Sequence, residues 1–188
     1  MNNTPSLSAA KDLVTERRYQ EAKAIFERIT NERSADSPEA AYCLGIIYQT
    51  GSGVPKNVDE AARYYLVAEQ SGYPMATYRL GGIYHRRGDL QKAYVSFRSI
   101  AQSNPSAAYW AYRLLMIRSQ LDGDPDAPAK YLNIAAEQGH VRAQRTIMMR
   151  YISGQEGLLK IPHGLRLLPK VVVDIFRVTL KDEKMKYD

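Results

Sequence analysis

Cysteine occurs once in the 188 residues, at Cys43, so no disulfide can form within the chain. That excludes the disulfide-rich secreted scaffolds and makes a reducing, cytoplasmic compartment the expectation. Long apolar runs are also missing: no stretch approaches the roughly 20 residues needed to cross a bilayer. Residues 1–10 lack the basic start and apolar centre of a secretory signal, so none is expected. Charge of one sign is not in large excess. The 26 Lys and Arg against 20 Asp and Glu leave a net +6. Such a balance favours an acidic partner or an anionic surface but is too weak to point to nucleic acid. Three histidines, His85, His140 and His163, make no spaced metal set. Phe and Trp are scarce, at three and one, so the 14 tyrosines carry the aromatic content. What remains is ordinary for a globular domain: 45% hydrophobic and 24% charged residues, and enough length for a continuous core.

The informative feature is repetition. Ala40-Ala41-Tyr42-Cys43-Leu44-Gly45-Ile46-Ile47-Tyr48 returns as Ala76-Thr77-Tyr78-Arg79-Leu80-Gly81-Gly82-Ile83-Tyr84, with Leu80 following Leu44 by 36 residues. Tyr78-Arg79-Leu80 recurs as Tyr112-Arg113-Leu114 after 34 residues, and Ala143, Ile147 and Tyr151 give a weaker copy 33 residues further on. A second pattern alternates with the first. Glu60 to Ala68, closed by Gly72, reappears as Ala129 to Gly139, and Ala93, Tyr94, Phe97 and Ala101 form a third version. Spacings of three and four put these residues on one helical face. Each unit therefore reads as two antiparallel helices. Ala and Gly allow close approach, and Tyr, Leu and Phe fill the gaps between units that cannot bury their apolar faces alone. Leu7 to Asn31 reads as an earlier, degenerate hairpin. Ser37 is the expected cap of the next helix, with Pro38 opening it.

The run from Leu44 to Gly72, with its Gly51-Ser52-Gly53-Val54-Pro55 linker, resembles a Sel1-like repeat, a relative of the tetratricopeptide repeat. The run Lys130 to Gln144 resembles the end of one such repeat and the start of the next. The likeness covers about Pro38 to Tyr151. It departs at Arg87-Gly88-Asp89-Leu90, a shorter turn, and at Leu115, which stands where the family usually has Gly. The resemblance implies an all-α fold: a right-handed superhelical solenoid of about five antiparallel helix pairs, residues 1–153. Residues 154–188 would form a C-terminal capping or contact segment.

That last segment is broken by Gly154, Gly157, Pro162 and Gly164. Leu165, Leu168, Val172, Ile175, Phe176 and Thr179 follow helical spacing, and Leu167, Val171 and Val178 widen the apolar surface. Lys160, Arg166, Lys170, Arg177 and Lys181 flank it. Three roles are open for Leu158 to Lys181: a cap on the last hairpin, a homodimer contact, or docking on an anionic membrane surface.

Catalytic chemistry has little support. Asp122-Gly123-Asp124-Pro125-Asp126 has alternating carboxylates, but Asn133 stands where a calcium loop needs its closing Glu. A turn with helix-capping Asp is the expectation. Gly51 to Lys56 lacks the strand and the Gly-Lys-Ser/Thr of a phosphate loop. No metal, cofactor or catalytic set is expected. The function expected is protein interaction, as an adaptor or scaffold. In tetratricopeptide-like solenoids the place two residues before the repeat Leu faces the groove. The resemblance therefore implies a partner-binding stripe of Lys11, Tyr42, Tyr78, Tyr112 and Arg145, joined by His85, Arg86 and Arg142. Tyr and Arg suit protein-binding hot spots, and the arginines favour acidic groups. For any one of these tyrosines, packing between hairpins is an equal alternative. The rival function is a regulatory subunit of an envelope or polysaccharide assembly, held at the inner membrane face by the C-terminal segment.

Overall fold

The computed structural model describes residues 6–152. Among them the chain is helical and contains no strand. The helices are α1 (Leu7–Thr15), α2 (Tyr19–Glu32), α3 (Ser37–Thr50), α4 (Val58–Gln70) and α5 (Pro74–Arg86). They continue as α6 (Leu90–Ser99), α7 (Pro105–Ile117), α8 (Ala127–Glu137) and α9 (Val141–Ile152), with one 3-10 turn at Ser119–Leu121. The expected succession of helix pairs is present from α1 onward. Residues 154–188, with the cap, dimer and membrane roles assigned to them, lie outside the described residues.

Local chemistry sets the boundaries. Asn57 Oδ1 accepts from the Asp59 and Glu60 amides, both at 3.0 Å, and so opens α4. Asn104 does the same for α7 through the Ala107 amide at 3.0 Å, just ahead of Pro105. Such caps satisfy amides that have no partner within the helix. At α3 the expectation of a Ser37 cap fails. Ser37 lies inside the helix and is buried, and its hydroxyl donates instead to the Ile29 carbonyl at 2.7 Å. It thus ties the end of α2 to the start of α3. Gly51 ends α3 at φ 78°, a left-handed conformation that glycine adopts without strain.

The described residues fall into two compact units that divide within α6, one ending at Ser96 and the other beginning at Phe97. In the first unit α3 is buried on two sides. Ala40, Leu44 and Ile47 pack against Leu7, Ala10, Ala22, Phe26 and Ile29 of α1 and α2. Ala41 joins Ala61, Tyr65, Ala68, Ala76, Leu80 and Ile83 of α4 and α5. Fully burying side chains such as Phe26, Leu44 and Leu80 contributes about 1.5–3 kcal/mol each. Gly45 marks the closest approach: a Cβ there would lie 2.3 Å from Cε1 of Tyr65. In the second unit Ala107, Ala108, Ala111, Leu114 and Leu115 of α7 are buried, as are Ala127, Tyr131, Leu132 and Ala135 of α8. Leu115, at the repeat place of Gly45, is buried, and the residue at the repeat place of Tyr65 changes as well. The pair Tyr64-Tyr65 corresponds to Tyr131-Leu132 in the repeat, so a smaller, buried Leu132 stands at the repeat place of the intruding ring.

Candidate protein-binding face

Of the eight residues expected to line a groove, three come together in the second unit. Tyr112, Arg142 and Arg145 share a hollow of about 960 Å³ between α7, α8 and α9. Tyr109, Met116, Met149 and Arg150 complete its wall, with Asp126 and Pro128 at the start of α8. Met116 and Met149 are 64% and 52% exposed, unusual for apolar side chains this large. Arg142 and Arg145 are exposed and form no ion pair with a described carboxylate. Tyr112 is half-buried beside Tyr109, ring centroids 5.9 Å apart. Behind Tyr109 stacks His140, at 4.5 Å. The His140 Nδ1 accepts from the Ala143 amide at 3.3 Å, so this histidine caps α9. Burial, helped by the Arg142 charge, pushes its pKa below the ordinary histidine value. The sequence reading singled out neither methionine, and among the described residues both stay exposed.

The first unit presents its predicted residues differently. Lys11 is exposed and pairs with Glu39 at 2.6 Å. Tyr42 is half-buried among aromatic rings, 5.1 Å from Tyr73 and 5.7 Å from Tyr65. Its hydroxyl accepts from Arg79 Nε at 3.4 Å. Tyr78 and His85 are half-buried, whereas Arg86 is exposed and lines a second hollow with Arg79 and Lys56. Cys43 is half-buried, and burial pushes its thiol up to about 11, so it stays protonated.

The aspartate cluster is a set of turns. Asp122 Oδ1 accepts from the Asp124 amide at 3.1 Å and Asp124 Oδ1 from the Asp126 amide at 2.9 Å. Asp122 also reaches Arg98 at 3.5 Å. Among the described residues no group of three or more His, Cys, Asp or Glu is placed to hold a metal ion. No described helix is long and apolar enough to cross a membrane.

No family model matches the chain. A curated relative, chitin synthase regulatory factor 4 of Schizosaccharomyces pombe, is 30% identical over 89 residues, 47% of this chain and 14% of the relative. Two solved structures share the fold. A Sel1 repeat protein from Oxalobacter formigenes superposes with a TM-score of 0.64 at 24% identity, over 79% of this chain and 62% of its own. A protective antigen of uropathogenic Escherichia coli with an SLR fold gives 0.61 at 26% identity, over 72% of this chain and 29% of its own. The chain spans less than two thirds of the length of each of these proteins. The helix pairs, the Gly45–Tyr65 contact and these superpositions agree: the described residues have the fold of Sel1-like repeat proteins.

Proposed function

We propose that this chain is a non-enzymatic interaction module that holds an acidic segment of a partner protein on its first-helix faces. The observation that carries the reading is the α7–α9 hollow, where Arg142 and Arg145 stand without acidic partners beside Tyr109, Tyr112, Met116 and Met149. Guanidinium groups recognise carboxylates through paired hydrogen bonds. Tyrosine and flexible methionine supply contact area that adapts to a partner. A hollow of about 960 Å³ has room for several side chains of a bound segment. Lys11, Tyr42, Tyr78, His85 and Arg86 are the corresponding candidates of the first unit, in a cytoplasmic adaptor that needs no cofactor.

Selection from a displayed peptide library tests this. The full chain should enrich Asp- and Glu-containing sequences, and Arg142→Glu with Arg145→Glu should lose them. Tyr112→Ala should weaken a selected peptide by at least about 2 kcal/mol, with the melting temperature nearly unchanged. Enrichment indifferent to all three substitutions refutes the reading. The name of the fission-yeast relative supports a second one, a regulatory subunit of a polysaccharide-synthesising assembly at a membrane. Salt-sensitive co-sedimentation of the full chain with anionic vesicles would favour that reading.

A further inference from the structure

We infer that the hollow between α3 and α5 of the first unit receives a phosphate monoester carried by a partner polypeptide. This goes beyond the acidic-segment reading: it concerns a different hollow, and only Arg86 is common to both.

The hollow measures about 560 Å³, and three cations line it from separate places: Lys56 from the loop after α3, Arg79 from the middle of α5 and Arg86 from its end. No carboxylate is in its wall. The nearby acidic residues are engaged elsewhere, Glu60 with Arg63 at 2.7 Å and Asp59 with Arg87. Arg79 is half-buried, and its one hydrogen bond, from Nε to the Tyr42 hydroxyl, leaves both Nη groups without a described partner. Partly desolvating a guanidinium without a counter-charge costs free energy that a bound anion would recover.

The cations also converge. Arg79 and Arg86 both act electrostatically on the Tyr65 hydroxyl, which donates to Gln49 Oε1 at 2.6 Å. Gln49 lines the same hollow, and its amide NH2 remains as a neutral donor there. Gly82 has a part in this. A Cβ at Gly82 would meet nothing nearer than Arg86 Nη1, at 3.8 Å, so the space beside that guanidinium is open at this place on α5. In the second unit the repeat-equivalent place holds Met149, whose side chain lines the corresponding hollow.

Charge then selects the ligand. A single carboxylate neutralises one of three cations. A phosphate monoester brings about −1.5 to −2 and three acceptor oxygens, which suits two arginines and a lysine. Ile46 and Val58 in the wall provide apolar contact for residues flanking the phosphate, which favours a polypeptide carrier.

The test is an NMR titration of the full chain at constant ionic strength. One ligand is an acetylated, amidated Gly-phosphoserine-Gly peptide; its control carries Glu in place of phosphoserine. Arg79 and Arg86 Nε–H signals should shift saturably with the phosphopeptide, about tenfold more tightly than with the Glu peptide. Lys56→Gln with Arg86→Gln, both at exposed positions, should weaken that binding at least about tenfold. Arg142→Glu with Arg145→Glu should leave it unchanged, so the two readings fail separately. Equal response to the Glu peptide, no saturable shift, or insensitivity to Lys56→Gln/Arg86→Gln overturns the inference. Saturation by phosphoinositide vesicles but not by the phosphopeptide overturns it too, in favour of a lipid headgroup.

Discussion

Adding one methyl group at Gly45 is the sharpest perturbation the packing allows. In α3 an alanine Cβ at this position would lie 2.3 Å from Cε1, 2.5 Å from Cδ1 and 2.9 Å from Cζ of Tyr65. Carbon atoms rest about 3.5–4.0 Å apart, so the ring must retreat by more than about 1 Å. It has nowhere to go. Tyr65 is fully buried, its hydroxyl is bound to Gln49 at 2.6 Å, and Tyr42 packs against it at 5.7 Å. Overpacking of this kind costs about 1–3 kcal/mol, and losing the tyrosine hydrogen bond adds about 1. Against this, alanine favours the helix over glycine by about 1 kcal/mol. The net expectation for Gly45→Ala is a loss of about 1–3 kcal/mol, near 2–4 °C in melting temperature per kcal/mol. Gly82→Ala is the internal control, because its methyl would meet only the end of Arg86 at 3.8 Å. It should gain the helix preference alone, up to about 1 kcal/mol. Adding Tyr65→Leu to Gly45→Ala imitates the Leu115 and Leu132 combination of the second unit and should cost less than the two single changes together. Thermal and denaturant unfolding read all four variants. A Gly45→Ala protein as stable as the parent would sink the close-approach argument.

Two further outcomes follow from named contacts. Asn57→Ala removes the acceptor for the Asp59 and Glu60 amides and should cost about 1 kcal/mol, read as a lower denaturant midpoint. For His140 the folded-state pKa is depressed, first by burial and then by Arg142. Above the unfolded value of about 6.5 both states are neutral and stability is flat. As pH falls below that value the unfolded chain takes the proton first, so stability declines until the folded pKa is passed. Melting curves from about pH 7.5 to 5 should show this decline, and His140→Asn, which keeps an acceptor for the α9 cap, should reduce it. An unchanged pH slope in that variant would refute the assignment.

Much of this was legible in the sequence because repetition reports packing directly. Ala40, Leu44 and Ile47 recur at helical spacing because one face of α3 has to be buried, and that face is where it was expected. Periodicity does not report what lies across a face. The partial burial of Tyr42 depends on Tyr73, which enters from the turn before α5, and on Arg79 six residues further along. Ser37 looked like a cap because of its neighbours in sequence, but the Ile29 carbonyl eight residues earlier claims its hydroxyl. The departure at Leu115 is visible in the sequence, whereas the reason for Gly45 becomes clear only when the Tyr65 ring is placed against it. Of the three cations around the α3–α5 hollow, Lys56 lies 23 and 30 residues before Arg79 and Arg86, and no motif links them.

The ordering of helix contacts bears on how the chain folds. The packed pairs α1 with α2, α2 with α3, α3 with α4, α4 with α5, α7 with α8 and α8 with α9 are all neighbours along the sequence. Few long loops need closing before contacts form, and chains of such low contact order fold rapidly, in microseconds to milliseconds. Each hairpin can also nucleate on its own and recruit the next. A ribosome-bound chain could therefore set the α1–α3 core around Phe26 and Leu44 before α8 and α9 have been synthesised.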